Sequence, residues 1–328
     1  MSPGRRPSPG GRGRQGGGRA GSGQGRPSAA AAGSGRGRPA AAGRPRPAGG
    51  HGGRPPAPRT GTSPLPEGTS PVPGGKRGLG GEQVEGRHAV RELLLVGRRR
   101  CRDVWLVDDA DPAPIVGDIL ELAAEARVTV RRVSRGQLDA EARSEAPQGV
   151  LAHADPLPEA ELDRLCTTAG AGGTNPFLVC VDGITDPQNL GALLRTAECA
   201  GATGVVLPRH RSAHVTPTVA KAAAGAVEHL AMAVVSGLPA ALARASDQGV
   251  WVVGLDADGD TSLFDLGLAT EPVALVLGAE GKGLGRLSRA RCDVVASIPL
   301  RGALPSLNVA AAGALACFEV ARRRLPTA

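Results

Sequence analysis

The chain has 328 residues and a formal net charge of +8, long enough for two ordinary domains once low-complexity sequence is set aside. The charge is unevenly spread: residues 1–80 hold 14 Lys or Arg against one acid, Glu67, and so carry +13, while the remaining 248 residues carry −5. A globally basic surface is thereby excluded for the folded part, where any contact with nucleic acid has to come from local patches.

Residues 1–80 contain 24 of the 49 glycines and no Phe, Trp or Tyr, too little apolar surface to offset the entropy of ordering. A disordered basic tail is expected there. Its Arg-Gly and Arg-Pro steps suit salt-dependent contact with phosphates, although Arg, Gly, Pro and Ala also share GC-rich codons, and Lys occurs only at 76, 221 and 282. Arg5-Arg6 is not followed by the apolar run of an export signal, and the Gly and Pro density opposes an amphipathic presequence. No 18-residue apolar stretch free of Gly and charge occurs, so no membrane span is expected. The six cysteines, at 101, 166, 180, 199, 292 and 317, form no Cys-x-x-Cys pair and no Cys/His cluster. They read as small buried hydrophobes of a reduced, metal-free cytoplasmic protein.

Past Gly81 the periodicity begins. Val90 and Leu93 to Leu95 mark a helix ended by Gly97, followed by a strand at 103–107, a helix at 115–126, a strand at 128–133, a helix at 135–144 and a strand at 149–154. This is a small α/β unit over 81–156. A linker is expected over 157–175, where Ala169 to Thr174 is rich in Gly. Over 176–328 strands are expected at 177–181, 204–207, 230–235, 250–255, 273–277 and 294–299, and helices at 189–200, 217–224, 238–246 and 307–324. Strands this uniformly apolar imply a parallel sheet covered by helices.

Three blocks place polar residues at strand ends, where parallel α/β folds build their sites. The first runs from Asp182 through Pro187 and Asn189 to Arg195. Asn189 lies near a helix start, where unpaired amides favour an anion, and the planar guanidinium of Arg195 can hold a phosphate or carboxylate with two hydrogen bonds. The bland reading makes Asn189 a cap and Arg195 a surface charge. The second block, Leu277-Gly-Ala-Glu280-Gly-Lys-Gly283, is a Gly-rich turn that lets a ligand approach the backbone. It fits neither Gly-x-x-x-x-Gly-Lys-Ser/Thr nor Gly-x-Gly-x-x-Gly, because position 286 is Arg. The third runs from Ile298 to Asn308 into a helix of small residues; Ser306 can cap that helix, and Asn308 offers both donor and acceptor.

Together the three blocks resemble the SpoU/TrmH class of the SPOUT superfamily, the RNA 2′-O-ribose methyltransferases. That resemblance covers Phe177 to the end. It implies an α/β fold with a carboxyl-terminal trefoil knot, S-adenosyl-L-methionine as cofactor held near Gly278, Gly281, Ile298 and Leu307, and catalytic roles for Asn189, Arg195, Glu280, Ser306 and Asn308, with no metal. It also implies a homodimer with active sites near the subunit contact. Gly86-Arg-His-Ala-Val90 and Gln148-Gly-Val150 resemble the small ribosomal-protein-like RNA-binding domain of the 23S rRNA guanosine branch. Pro147 and Ala310 depart from that branch, where His and Ser are common. The partner implied is RNA, 23S rRNA or a ribosome-assembly intermediate first; a tRNA guanosine, an rRNA adenosine or a non-catalytic ribosome-assembly role are the alternatives. A nicotinamide-dependent oxidoreductase is disfavoured by the glycine spacing.

Overall fold

The computed structural model describes residues 78–109, 113–170, 173–210, 212 and 214–325. Residues 1–77 of the expected tail lie outside the described residues. Leu79, on the tail side of the expected boundary, is buried in the main core, and Gly80 bridges Val215.

The first layer is a four-stranded sheet formed by β1 (Gln83–Glu85), β2 (Cys101–Val107), β3 (Thr129–Val133) and β4 (Val150–Ala154), in the order β1-β4-β2-β3. β2 pairs with β3 in parallel and with β4 antiparallel. Helices α1 (Arg87–Val96) and α2 (Pro114–Glu125) bury Val90, Leu93 and Ile119 against one face. Among the described residues, the other face carries α3 (Arg135–Glu141), seven residues held by a Ser134/Gln137 capping box. α1 ends where Gly97 turns left-handed at φ 59 and donates its N–H to the Leu93 carbonyl.

The second layer is a seven-stranded, all-parallel sheet. Its strands are β5 (Phe177–Asp182), β6 (Gly204–Pro208), β7 (Met232–Val235), β8 (Trp251–Leu255), β9 (Thr261–Ser262), β10 (Val273–Gly278) and β11 (Val294–Ser297), in the order β7-β6-β5-β10-β8-β11-β9. Alternation along β5 fills both faces: Phe177, Val179 and Val181 join one core cluster, Leu178 and Cys180 the other. On the first face lie α5 (Pro187–Cys199), α6 (Pro217–Ala222) and α9 (Val309–Arg324); on the second lies α7 (Leu238–Asp247) together with α4 (Leu162–Thr167). A short α8 (Arg286–Arg289) precedes β11.

α4 falls within the stretch expected to be linker. Leu162, Leu165 and Cys166, spaced three and four apart, are all buried, so this segment is part of the sheet's cover. β11 stops two residues earlier than expected, and Ile298 to Leu300 leave the sheet to line a cleft. α9 starts after Asn308 rather than at Leu307 because Asn308 is its cap.

A sealed polar contact joins the two layers. Arg99, 3% exposed, donates from Nε and Nη2 to the carboxylate of Glu228, 1% exposed, at 3.0 and 2.6 Å. Its Nη1 donates to the carbonyls of Gly81 and Asp155. Arg98 donates to the Leu230 carbonyl, and His229 Nε2 lies 2.8 Å from Glu92.

Candidate active site

β10 ends at Gly278, and the chain folds straight back. Ala279 and Gly283 exchange both backbone hydrogen bonds, at 3.1 and 3.0 Å, closing a tight turn with Glu280 near its start. A Cβ at Gly278 would sit 2.3 Å from the Gly283 carbonyl carbon and oxygen, so a residue with a side chain cannot close this turn. Gly281 and Gly283 take φ of 72° and 62°. Two carboxylates from the strands flanking β10 hold the turn's far limb. Asp182, ending β5, accepts from the Gly285 N–H at 2.7 Å, and Asp256, just past β8, accepts from the Leu284 N–H at 3.3 Å. Asp256 is itself held by Arg289 at 3.1 Å.

Three residues separated by up to 119 positions meet at this turn. Asn189 and Asn308 each donate a side-chain N–H to Glu280 Oε1, at 2.9 and 2.7 Å. Asn308 also donates to Asn189 Oδ1 at 2.9 Å. The orientation of Asn308 is fixed from behind, because its Oδ1 caps α9 by accepting from the Ala310 and Ala311 amides. Both amide side chains are therefore committed. Glu280 keeps its second carboxylate oxygen without a partner among the described residues.

This triangle stands between two clefts. The larger, ≈ 840 Å³, is lined by Gly278, Gly281, Ile298, Ser306 and Leu307, with Glu280 and Lys282 on its wall. The smaller, ≈ 590 Å³, lies on the other side of the turn against Asp182, Asp186 and Asn189, and shares Glu280 and Lys282. Asp256, Asp258 and Glu280 outnumber Lys282 on the larger cleft's lining, so that lining is net negative.

Two expectations need correction. The first helix amides of α5 are not open to an anion: Asp186 caps them, accepting from Gln188 at 3.4 Å and Asn189 at 3.0 Å, with Pro187 in the first turn. Asn189 is thus neither the cap nor beside a vacant anion site, and its side chain goes to Glu280 instead. Nor does Ser306 cap α9, since Asn308 does so, and Ser306 Oγ has no hydrogen-bond partner among the described residues.

Of the sequence-selected residues, the structure brings together Asn189, Glu280 and Asn308 directly, and gathers Gly278, Gly281, Ile298, Ser306 and Leu307 around one cleft. It does not bring Arg195 to them. Six residues along an α-helix is about 120° from the starting face, and Arg195 is exposed outside both clefts. Asp182, Asp256 and Asp186 were missed as supports of the site; the sequence signal of the first two is an acid at or just beyond the end of an apolar strand, and that of Asp186 is an Asp directly before the Pro that opens α5.

The protein family follows from the match in both layers. The SpoU rRNA Methylase family model matches residues 176–318, and the model described as RNA 2′-O ribose methyltransferase substrate binding matches residues 83–160. The chain belongs to the SpoU rRNA methylase family. It is 39% identical to the 23S rRNA (guanosine-2′-O-)-methyltransferase RlmB of Pseudomonas syringae pv. tomato, over 74% of this chain and 96% of that one. It is 38% identical to the enzyme of the same name from Haemophilus influenzae, over 74% of this chain and 98% of that one. The fold is also that of the SpoU methyltransferase AviRb from Streptomyces viridochromogenes, solved with AdoMet, with a TM-score of 0.61 at 24% identity over 74% of this chain and 90% of that one.

Proposed function

We propose that this protein transfers a methyl group from S-adenosyl-L-methionine to a ribose 2′-hydroxyl of RNA, and that the nucleotide is a guanosine of 23S rRNA. The observation that carries the reading is the Asn189–Glu280–Asn308 triangle at the edge of a cleft lined by Gly278 and Gly281. Family membership and the curated relatives supply the reaction and the RNA class.

The larger cleft fits the cofactor chemically. Its net negative lining suits a cationic sulfonium, and at Gly281, where a Cβ would meet nothing within 4 Å, its wall leaves the backbone open to close approach. Gly278, Gly281, Ile298 and Leu307 are the residues that would hold it. When bound, S-adenosyl-L-methionine supplies the electrophilic methyl group.

The chain's own residues have to position the acceptor, because the ribose oxygen must reach the methyl carbon in line while its proton leaves. Glu280, fixed by two amide donors, presents its remaining oxygen to the hydroxyl. Ser306, with no partner in the fold, orients the reacting groups beside it. Arg195 grips the substrate phosphate and stabilises charge, with the proton passing to phosphate or water; a guanidinium gives up a proton too reluctantly to be the base.

Arg195 reaches this centre from a second copy of the chain. Leu315 and Phe318, 42% and 51% exposed on one side of α9, are suited to a homodimer contact. The carboxyl-terminal segment forms a trefoil knot, in keeping with β10 lying between β5 and β8 while α9 packs back over α5 and β10. The workplace is the cytoplasm; among the described residues no helix is long and apolar enough to cross a membrane.

Incubating the protein with labelled S-adenosyl-L-methionine and undermethylated 23S rRNA, followed by mapping of 2′-O-methyl positions, tests the reading directly. Incorporation at one guanosine is expected. Label on tRNA alone, or none with calorimetric cofactor binding also absent, overturns it.

A further inference from the structure

If the reaction assigned above is right, the acidic lining of the cleft creates a difficulty. RNA brings phosphates to a wall with three carboxylates and one lysine, so the attraction for the RNA has to be supplied elsewhere in the fold. Arg286, Arg289 and Arg291 follow the glycine turn itself, with Arg289 tied to Asp256 and the Asp258 carbonyl; elsewhere among the described residues three runs are rich in arginine, and two of them are largely consumed internally. In the last turn of α9, Arg322 and Arg323 bind Glu319, and Arg324 donates to the carbonyls of Ala269, Pro176 and Glu271. In the run after α1, Arg98 and Arg99 are held at the contact between the layers and Arg102 pairs with Asp155, leaving Arg100.

The third run is different. Residues 127–135 contain Arg127, Arg131, Arg132 and Arg135 and no acid, in a folded part that is net negative. All four are exposed. Arg135 makes an exposed ion pair with Asp109 at 3.1 Å, of the kind that exchanges readily for phosphate, and the exposed Arg131 reaches the part-buried Asp103 at 3.4 Å, a carboxylate already shared with Trp105 and His153. Arg127 and Arg132 meet no carboxylate among the described residues. These arginines lie on and around β3, which is the open edge of the four-stranded sheet, at the opposite side from β1.

The same place offers an aromatic surface. Trp105 on β2 stands directly opposite Arg131 in the β2/β3 register and is half-buried. Its indole N–H points to Asp103 Oδ2 at 3.4 Å, and it meets the His153 ring edge-on at 5.6 Å between centroids. Among the described residues α3 is the one helix against this side of the sheet, where Leu138 packs near Trp105 and Glu141 lies 3.5 Å from His153, while Thr129 and Arg131 toward the β3 edge stay exposed. Arginines at an edge strand can serve simply to prevent edge-to-edge pairing. That role does not account for a tryptophan beside them in a chain with two tryptophans, three phenylalanines and no tyrosine.

We propose that the β3 edge of the small sheet, with Trp105 and Arg131 on its α3-side face, Arg132 on the opposite face of the same edge strand and Arg127 in the turn before it, is the docking platform for a single-stranded stretch of the substrate RNA. A base stacks on Trp105, and the arginines along β3 follow the phosphates. The platform supplies affinity, and the acidic cleft is left to act on a nucleotide delivered to it.

The test uses the full chain and a uridine oligoribonucleotide of about 12 nucleotides, within the length single-stranded binding sites span. Titration should quench the fluorescence of wild-type protein, and Trp105→Phe, which leaves Trp251, should bind with near-wild-type affinity but without that quench. Trp105→Leu should bind roughly 10-fold more weakly. Because Trp105 also packs near Leu138, the decisive variant is the exposed triple substitution Arg127→Gln, Arg131→Gln, Arg132→Gln. Its slope of log K against log salt should become shallower by about 0.7 for each phosphate that is no longer neutralised, while calorimetric binding of S-adenosyl-L-methionine stays unchanged. Arg244→Gln, an exposed ion pair of the other layer, should leave both properties as they are. An unaltered salt slope in the triple variant, a quench that persists in Trp105→Phe, or a change only in self-association would overturn the platform. If wild-type protein methylates RNA and the triple variant binds it normally, the platform alone fails; if wild-type protein neither binds the cofactor nor methylates, the reaction assignment fails first.

Discussion

Two polar clusters in this molecule use similar groups for opposite ends. At the contact between the layers, Arg99 and Glu228 are sealed from water, and the guanidinium's Nε, Nη1 and Nη2 all donate to acceptors. At the glycine turn, Glu280 is exposed, receives two hydrogen bonds on one oxygen and keeps the other for a ligand. A fully satisfied buried pair holds the fold, whereas a half-satisfied carboxylate at the rim of a cleft remains free to act. Substitution should therefore separate the two, with loss of stability at one and loss of activity at the other.

The largest effect on stability is expected for Glu228→Ala, which leaves Arg99 buried without its counter-charge. Breaking such a pair costs about 3–5 kcal/mol, so the urea midpoint should drop sharply. An apolar double replacement, Arg99→Met with Glu228→Leu, should recover much of that loss. If Glu228→Ala melts like wild type, the contact is not what joins the layers.

At the turn the order is reversed. Gly278→Ala places a Cβ against the Gly283 carbonyl and should displace the Glu280 limb. Cofactor binding and single-turnover methylation should both fall by at least about 100-fold, the scale on which misplacing catalytic groups by an ångström acts. Glu280→Gln keeps the size and an acceptor oxygen but removes the charge. Methylation should fall by roughly 100-fold while stability stays within about 0.5 kcal/mol, as for an exposed site. Equal activity for Glu280→Gln would reduce the carboxylate to a structural acceptor.

Asn308 belongs to both categories, and the comparison can be sharpened there. Asn308→Ala removes the α9 cap and the amide donor together, so it should lose about 1 kcal/mol of stability and also activity. Asn308→Asp keeps the cap, since Asp ranks with Asn at that position, but sets a second carboxylate against Glu280. Stability near neutral pH should be almost retained while methylation is lost. If both variants keep wild-type rates, Asn308 is only a helix cap.

Much of the fold was legible because burial on both faces produces unbroken apolar strands, as in β5 and β10, and because glycine, proline and asparagine mark the ends of α1, α5 and α9. What escaped was short or polar. β1 is three residues long and carries Glu85, a fully buried carboxylate that reads as surface until the Arg143 and Ser144 amides that donate to it are seen. α4 was hidden inside a segment that its glycine-rich neighbour made look like a connection. At the site, the types of residue were visible but not their pairing, because the contacts of Asn189 with Glu280 and Asn308 span 91 and 119 positions and depend on how β10 and α9 return to β5. The position of Arg195 shows a different failing, since its spacing of six from Asn189 already turns it about 120° away from that face of α5, and nearness along the helix concealed this.

The smallest effect concerns acid stability and again contrasts a committed carboxylate with Glu280. Glu319 on α9, 5% exposed, accepts from Arg322 Nε and Nη2 and from Arg323 Nε, all at 2.8 Å. Hydrogen bonding to Arg322, aided by Arg323 and opposed by burial, holds its carboxyl down at about 2, against an ordinary 4.5. A carboxylate whose affinity for protons is lower in the folded state stabilises the fold above its ordinary pKa, and that contribution disappears as pH falls from about 4.5 through about 2. Wild-type protein should therefore lose stability over this window more steeply than Glu319→Gln, and the two denaturation curves should approach each other toward the acid end. A constant offset between them across the window would show that Arg322 and Arg323 do not hold Glu319 in its charged form.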